Sequence, residues 1–347
     1  MLHQFSKIFL ALFILVGIFS SCDKDKDPEP DTTTDTTVVT PPDTTGGDTT
    51  GGDTTTNDTI VTPDPEPEPT AITVTSSDYI RFQNVGSKAT SKTLDNAQIR
   101  EFPTSGENQV WDLRVYASSN ATTLESSDNL PIPSSSSFAS ATYMNTQQST
   151  FIEAFTYSQF YEISEEGYYR IGNKVNAATA DLGNGTTLTA PGNEDTYNPK
   201  ELLLKFPMNY NDVTEQEGKF REDYTLTAPA FGITNAPVQR QLTYPTKSEV
   251  VGWGKVILPQ GAISDTTEVL LVKNTSSSIV NYFLNGNTAP NALLSALNLT
   301  EGAKSTTIIY YFISKEYGTV ASISFDTNAS GNARFPSTFA RYVETKE

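Results

Sequence analysis

Short stretches of alternating apolar and polar residues recur from about residue 71 to the end of the chain. They are rich in β-branched and aromatic residues and are bounded by Gly, Pro, Asn or Ser, which is typical of strands with one buried face. The pattern predicts an all-β fold, an antiparallel β-sandwich that is either one large domain or two smaller ones divided near residue 245. The clearest predicted strands are residues 79–83, 109–116, 201–206, 255–258 and 268–272.

One hairpin and one helix stand out from this pattern. Residues 306–313 and 319–325 are two apolar runs separated by a short polar connection, and Gly318 can supply a positive φ if the turn needs one. Residues 289–299 are the only stretch with a passable helical pattern, and Pro290 lies near its predicted first turn.

The start of the chain has a different pattern, a continuous apolar run over residues 8–19 that follows Lys7. Twelve residues are too few to span a bilayer comfortably, but they suit the hydrophobic region of a signal peptide. The run ends in Ser20, Ser21 and Cys22, which resembles a bacterial lipobox with Phe19 where leucine is usual. We expect residues 1–21 to be a lipoprotein signal peptide and Cys22 to carry the lipid. The alternatives are a transmembrane anchor or an ordinary signal peptide.

Cysteine usage agrees with lipidation, because Cys22 is the only cysteine among 347 residues and the chain has no disulfide framework. The acidic pentad that follows it, residues 23–27, resembles the surface-export tether of Bacteroidetes lipoproteins. We therefore expect an outer-membrane lipoprotein that faces the cell exterior.

Residues 22–70 predict an acidic, disordered linker. The part from residue 23 to residue 70 contains ten Asp, three Glu and two Lys, a net charge of −11, and no aromatic residue. Such a segment cannot bury enough apolar surface to offset its chain entropy. Gly pairs make it flexible near residues 46–52, and the Pro-Asp-Pro-Glu repeat of residues 63–69 favours extended polyproline geometry.

Asp-Thr pairs followed by a small or apolar residue repeat six times in this linker. The triplet resembles the acceptor motif of the protein O-glycosylation system of Bacteroidetes. The resemblance implies a glycosylated stalk, and the alternative is an unmodified polar spacer. The candidate acceptors are Thr32, Thr36, Thr44, Thr49, Thr54 and Thr59.

The residues after the linker exclude several kinds of chemistry. Residues 71–347 carry 28 acidic and 20 basic residues, so nucleic acid is an unsuitable partner. The only histidine is His3, inside the predicted signal, so the mature chain offers no Ser-His-Asp triad, Cys-His pair or His-ligated metal. We expect no catalysis, no cofactor and no metal site, and the run Asp181–Gly185 is better explained as a β-turn than as a calcium loop.

A carboxylate-dependent glycoside hydrolase is the one enzyme class that these absences leave open. Nothing in the spacing of the acidic residues distinguishes a catalytic pair from solvated loop charges. The conceivable members are Glu165, Glu166, Glu194, Asp195 and Asp212.

Aromatic residues crowd one stretch that also contains three glutamates. An exposed row of such residues would stack on sugar rings, with Tyr168 and Tyr169 as candidate ligand-binding residues; the favoured interpretation is half-buried strand residues with their hydroxyls at the surface. The aromatic residues are Tyr157, Phe160, Tyr161, Tyr168 and Tyr169.

Two further stretches, GENQVWDL at residues 106–113 and VGWGKVILPQG at residues 251–261, resemble recurrent segments of an uncharacterised family of secreted Bacteroidetes β proteins. The resemblance covers most of residues 75–325 and implies a β fold and an extracellular location, with no activity attached. From their residue types, Trp111 and Trp253 are expected to be packing residues, and Gly252 and Gly254 lack the third glycine of a dinucleotide-binding loop.

Two hypotheses follow for the function. The first is a structural or adhesive surface lipoprotein, anchored in the outer membrane by its N-terminal lipid, that contacts other surface proteins. The second is a glycan-binding module of a polysaccharide-uptake system.

Overall fold

The computed structural model describes residues 70–126, 128–149, 151–328 and 330–346, all of which belong to one compact unit. Two short α-helices, α1 (Ser76–Ile80) and α2 (Asn291–Ala296), accompany 16 strands. The strands are β1 (Ala89–Thr93), β2 (Gly106–Asp112), β3 (Thr123–Glu125), β4 (Tyr143–Gln148), β5 (Thr156–Ile163), β6 (Gly167–Val175), β7 (Ala178–Gly183), β8 (Thr186–Ala190), β9 (Glu194–Lys205), β10 (Val213–Ala228), β11 (Ile233–Ile257), β12 (Thr266–Leu284), β13 (Asn287–Thr288), β14 (Ala303–Ser314), β15 (Gly318–Asp326) and β16 (Phe339–Lys346).

These strands form two sheets, which confirms the predicted all-β sandwich class. A 12-stranded sheet has the order β3-β1-β16-β15-β14-β12-β11-β10-β8-β7, with β13 beside β12 and β2 beside β11. A four-stranded sheet has the order β4-β5-β6-β9. Every pair of neighbouring strands is antiparallel except β2 and β11, which run parallel.

The small sheet covers part of one face of the large sheet. Between them lies an apolar region, the intersheet core, to which the small sheet contributes Tyr161 and Leu204 and the large sheet contributes Trp253 and Leu270. The opposite face of the large sheet is covered by the chain around residues 94–113, and Trp111 packs there against Leu271 and Phe312 in a second region, the outer core. Successive residues of β12 therefore point to different cores, as the two-residue period of a strand requires.

Strand β11 joins the two sequence segments that carry the family resemblance. In its first half it pairs with β10, and in its second half it pairs with β2, with Gly252 opposite Gly106 and Val256 opposite Trp111. Gly254 has φ +153°, and a Cβ atom there would lie 2.0 Å from the Gln109 carbonyl oxygen. Only glycine allows the two backbones to approach this closely.

The same strand runs through residue 245, near which the sequence allows a division into two domains, so residues on both sides of that position belong to one sheet. Both tryptophans are buried, Trp111 at 6% exposure and Trp253 at 9%, as the packing interpretation predicts. The Trp111 indole also donates a hydrogen bond to the Thr104 carbonyl over 2.9 Å.

Most predicted elements have the predicted type. The hairpin of residues 306–325 is β14 and β15, and Gly318 has φ +64° in its turn. The predicted helix is α2, which is shorter than its pattern and has Pro290 at its N-cap.

Two predictions of strand were wrong. Residues 79–83 begin inside α1 because Thr75 and Asp78 form a capping box, in which the Thr75 side chain accepts from the Asp78 amide and Asp78 accepts from Thr75. The predicted strand 109–116 stops at Asp112, whose carboxylate caps a 3₁₀ turn over Leu113–Tyr116. In both cases a local side-chain cap competes successfully with strand pairing.

Candidate functional site

The two tyrosines proposed as ligand contacts lie on opposite faces of β6. Tyr168 is buried in the intersheet core, and its hydroxyl lies 2.5 Å from the hydroxyl of Tyr143. Tyr169 is half-buried on the other face, where the Lys200 ammonium lies 5.8 Å from its ring centroid. Adjacent strand residues alternate between faces, so these two side chains do not share one ligand surface.

The other aromatic residues of that stretch are not an exposed row either. Phe160 and Tyr161 are buried, and only Tyr157 remains half-buried. The favoured interpretation, with tyrosine hydroxyls at the surface, is wrong for Tyr161, whose hydroxyl donates to Gln159 Oε1 over 2.6 Å inside the protein.

Four of the five candidate carboxylates lie at the ends of the small sheet, and the fifth, Asp212, lies in the turn that precedes β10. Glu165 and Glu166 are exposed at one end of the β6–β9 ladder, whereas Glu194 and Asp195 lie at its other end, roughly 20 Å away at about 3.4 Å per residue. Asp212 accepts a hydrogen bond from the Asn209 amide in a turn. The structure therefore does not bring the sequence-predicted carboxylates together across one cleft.

It does bring together a different set of polar residues, between the two sheets. In the small sheet, Arg170 and Glu201 are directly opposite on β6 and β9, with 3.2 Å between Arg170 Nη1 and Glu201 Oε2. In the large sheet, Arg240 and Glu222 are directly opposite on β11 and β10, with 2.7 Å between Arg240 Nη1 and Glu222 Oε2. Their four side chains are between 6% and 16% exposed. Two buried cross-strand ion pairs thus face the same interior space.

A row of amide side chains crosses the small sheet beside the first ion pair. Asn145, Gln159 and Asn173 are opposite one another on β4, β5 and β6. Gln159 Oε1 accepts hydrogen bonds from Tyr161 and from Gln147, each over 2.6 Å. We call these three residues the amide row, and the amide row together with the two ion pairs the polar layer.

Two buried or half-buried tyrosines lie close enough to both ion pairs for the charges of each pair to influence their pKa. Burial raises the pKa of Tyr244 above its ordinary value, and the charges of both arginines and both glutamates act on it. Burial likewise raises the pKa of Tyr157 to about 12, with Arg170 opposing the rise and Glu222 adding to it. Charged groups of both sheets therefore act on the pKa of each of these two tyrosines, so the two ion pairs lie near each other.

The ion pairs remain in place through tight local packing. The Glu222 carboxylate also accepts from the Tyr224 hydroxyl over 3.0 Å, and the Arg240 guanidinium lies 4.6 Å from the centroid of the Phe151 ring. Opposite Glu201, Gly218 has no room for a side chain, because a Cβ there would lie 2.9 Å from Glu201 Cβ. Burial raises the pKa of Glu201, and the Arg170 guanidinium opposes that rise.

Asp195 lies on β9 at the end of the amide row, directly opposite Asn173 on β6. Burial raises its pKa to about 6, and Asp223 and Glu222 add to the rise while Arg221 opposes it. Of the five sequence-predicted carboxylates, Asp195 is therefore the one that borders the polar layer.

Sequence reasoning missed the polar layer, although a signal for it exists. In β10 the buried positions alternate through Phe220, Glu222, Tyr224 and Leu226, so the glutamate occupies an apolar phase of the strand. In β6, Arg170 likewise occupies a buried position, between the buried residues Tyr168 and Asn173. A charged residue in phase with buried ones predicts a buried partner, but the partner is 18 residues away for Glu222 and 31 for Arg170, which no local pattern reveals.

Several predictions fall outside the described residues, namely the lipidation of Cys22 and the glycosylation of Thr32, Thr36, Thr44, Thr49, Thr54 and Thr59. In the described part of the chain, no helix has the length and apolar character that crossing a membrane requires. There Asp181 caps the β7–β8 turn, accepting from the Gly183 amide over 2.8 Å, which agrees with the β-turn interpretation.

Comparisons with family models, with curated proteins and with solved structures found no match to this chain.

Proposed function

We propose that this chain is a lipid-anchored, surface-exposed lipoprotein whose folded part serves a structural or adhesive role without catalysis. The observation that carries the proposal is the order of segments: an apolar run that ends in Ser-Ser-Cys22, then the acidic low-complexity linker, then a compact β unit from about residue 70. This order suits a module that is held away from a membrane on a spacer.

Metabolic labelling with a fatty-acid analogue tests the anchor. We expect the wild type to incorporate the label and Cys22→Ser to lose it, because the chain has no other thiol. Ser21→Ala keeps a small residue before the cysteine and is the matched control, which should still be labelled. Equal labelling of the wild type and Cys22→Ser would refute the anchor.

We also propose that the spacer is O-glycosylated on the six threonines that follow aspartate. Replacing the six preceding aspartates by glutamate keeps the charge of the linker, so an unmodified spacer should be unaffected, whereas an acceptor motif read by shape should lose its sugars. Intact mass of the protein from its native host distinguishes the two. A wild type with no mass beyond polypeptide and lipid would refute the modification.

A second candidate function, glycan binding, is favoured by the polar layer rather than by the Tyr168 and Tyr169 pair. Amide, guanidinium, carboxylate and phenol groups inside one domain are the groups that orient sugar hydroxyls. Migration of the mature chain through gels that contain neutral polysaccharides tests this function. A clear retardation relative to a plain gel supports it, and unchanged migration in every polysaccharide counts against it.

A further inference from the structure

Strand β16 carries two basic side chains, Arg341 and Lys346, that form no ion pair in the part of the chain that the structure describes. The Arg341 Nε atom donates a long hydrogen bond of 3.4 Å to Ser322 Oγ, and the Lys346 ammonium donates to the Tyr317 carbonyl. Both side chains are half-buried. A charge that is partly removed from water without a counter-ion is costly, so an anion bound to these two residues, the basic pair, would lower that cost.

Strand pairing places the basic pair on one face of the large sheet. Arg341 lies opposite Thr93 and Lys346 opposite Ala89 on β1, and positions four residues apart in a strand share a face. Within β16 the two residues are five apart and would point to opposite faces, but the ladder with β1 contains a bulge that adds one residue to β16. Both side chains therefore leave the sheet on the same side.

Helix α1 and the β14–β15 turn border the basic pair. The ring centroid of Phe82, which follows α1, lies 4.7 Å from Lys346 Nζ. A Cβ atom at Gly318 in the turn would lie 3.1 Å from Phe82 Cδ2 and 3.2 Å from Lys346 Nζ. Burial and, after it, the charge of Arg341 lower the pKa of Lys346 to about 7. Because the interaction of two charges weakens with distance, this influence shows that the two basic groups lie near each other.

Solvent reaches the basic pair, so a dissolved anion can approach it. The described residues include arginine nitrogens that are fully buried and donate no hydrogen bond, but none of these atoms belongs to Arg341. The two Nη atoms of Arg341 donate no hydrogen bond within the described residues, so they are in contact with solvent. An ammonium group has three donors, and Lys346 uses one of them on the Tyr317 carbonyl. Both side chains therefore retain donors for a ligand.

The charges around the basic pair are balanced among themselves. On β16 the intervening Glu344 pairs with Lys92, with 2.6 Å between Glu344 Oε1 and Lys92 Nζ. The segment of α1 and the β14–β15 turn contribute two acidic and two basic residues, namely Asp78, Arg81, Lys315 and Glu316. Within these elements the two positive charges of the basic pair therefore remain uncompensated.

The two side chains also indicate the chemical class of the ligand. A guanidinium presents a planar fork of donors that matches the oxygens of carboxylate, sulfate and phosphate groups, and an ammonium adds a compact positive charge. We propose that the basic pair is a binding site for an oxyanion, that is, for the carboxylate, sulfate or phosphate group of a ligand. Arg341 receives two of its oxygens and Lys346 compensates its charge.

Titration calorimetry of the mature chain tests the site, with sodium acetate, sodium sulfate and sodium phosphate as probes and with sodium chloride holding the ionic strength constant. We expect at least one oxyanion to bind. Tightest binding of acetate identifies a carboxylate ligand, and tightest binding of sulfate or phosphate identifies a dianionic group. Arg341→Gln should weaken the binding by about tenfold or more, because charge-assisted hydrogen bonds are lost. Lys304→Gln is the matched control, since Lys304 is exposed on β14 of the same sheet, and its affinity should equal that of the wild type.

Lys346→Gln is the second variant, because Lys346 is half-buried at the end of β16, where a shorter side chain is tolerated, and it should also weaken the binding. Arg341→Lys keeps the charge but loses the planar fork, so its affinity should lie between those of the wild type and Arg341→Gln. Failure of all three oxyanions to bind would overturn the inference. Equal affinities of the wild type, Arg341→Gln and Lys346→Gln would do the same. An equal loss of affinity in Lys304→Gln and Arg341→Gln would show attraction to the overall charge of the protein, and the assigned site would be wrong.

Discussion

The outer core and the polar layer lie on opposite faces of the same large sheet, yet they are built by different rules. In the outer core, Trp111, Leu271 and Phe312 fill the space with apolar groups, and Leu271 and Phe312 have no measurable exposure. In the polar layer, the four charged side chains of the two ion pairs are 6% to 16% exposed, and they are held by paired charges and hydrogen bonds.

The difference shows which of the two regions contributes more to the stability of the fold. Apolar packing gains free energy roughly in proportion to the area removed from water. Buried ion pairs give little or no net gain, because the desolvation of both charges offsets their attraction. The two buried pairs and the unsatisfied oxygens of the amide row are therefore not the main source of the stability of this fold, which comes from apolar packing.

The largest loss of stability should come from a substitution at Gly254, where β11 and β2 approach closely beside the outer core. Gly254→Ala places a Cβ atom against the backbone of β2, which carries Trp111, so we expect a loss of more than about 4 kcal/mol in the free energy of unfolding, or no folded protein. Gly232→Ala is the control, because Gly232 has φ +65° but open space around its Cβ position, and it should cost only about 1 kcal/mol. Equal shifts in Tm for the two variants would show that the close approach of β11 and β2 does not contribute to stability.

The next effect should come from removing one partner of a buried ion pair. Arg170→Met leaves Glu201 buried without its counter-ion, and we expect a loss of about 3–5 kcal/mol in urea denaturation. Adding Glu201→Leu should restore most of the loss, since an apolar pair needs no compensation. The control is Lys219→Met in the exposed pair with Glu217, which should leave stability unchanged. A double variant less stable than Arg170→Met would contradict the account of the polar layer.

The loss of stability caused by truncating a side chain in the outer core should be smaller than that from Arg170→Met. No second substitution should restore it. Leu271→Ala removes a fully buried side chain, and we expect a loss of about 3 kcal/mol with an unchanged denaturant m-value. Asn173→Ala in the polar layer should cost less, because the Oδ1 atom that it removes accepts no hydrogen bond among the described residues. The opposite ranking, measured in the same urea titration, would show that Asn173 is a stabilising residue.

The smallest effect concerns the pH dependence of the polar layer. The pKa of Asp195 is about 6 in the folded protein against 3.8 ordinarily, so between these values the folded state binds a proton that the unfolded state has lost. Its contribution to stability is therefore present below about pH 4 and is lost as the pH rises to about 6. Asp195→Asn should remove this slope and be more stable than wild type at pH 7.5 by at most about 1 kcal/mol, after allowance for solvent screening. Unfolding curves with the same pH slope in both proteins would rule this out.

Several parts of the fold could be predicted because the determining interactions are local in sequence. The hairpin of β14 and β15 needs two apolar runs and a turn with Gly318, all within about 20 residues. The strand predicted at residues 79–83 failed for an equally local reason, the capping box of Thr75 and Asp78, whose signature was present but was outweighed by the alternation.

The candidate site was much less predictable. Its residue type makes Tyr168 a candidate ligand contact, but the phase of β6 places it in the intersheet core. Arg170, two residues later, belongs to the polar layer through a partner on another strand. Residue type alone does not tell whether a strand has one or two buried faces, and here β6 has Ile171 packed on one side and Tyr168 on the other.

The sequence by itself determined the strand-rich composition, the β14–β15 hairpin and the burial of the two tryptophans, because alternation, turn residues and side-chain size act over a few neighbouring residues. The tertiary structure alone decided that β11 pairs with β10 and then with β2, and that glutamates and arginines 18 to 31 residues apart meet between two sheets. Pairing of distant strands depends on which faces can be buried together, and that is a property of the assembled sheets.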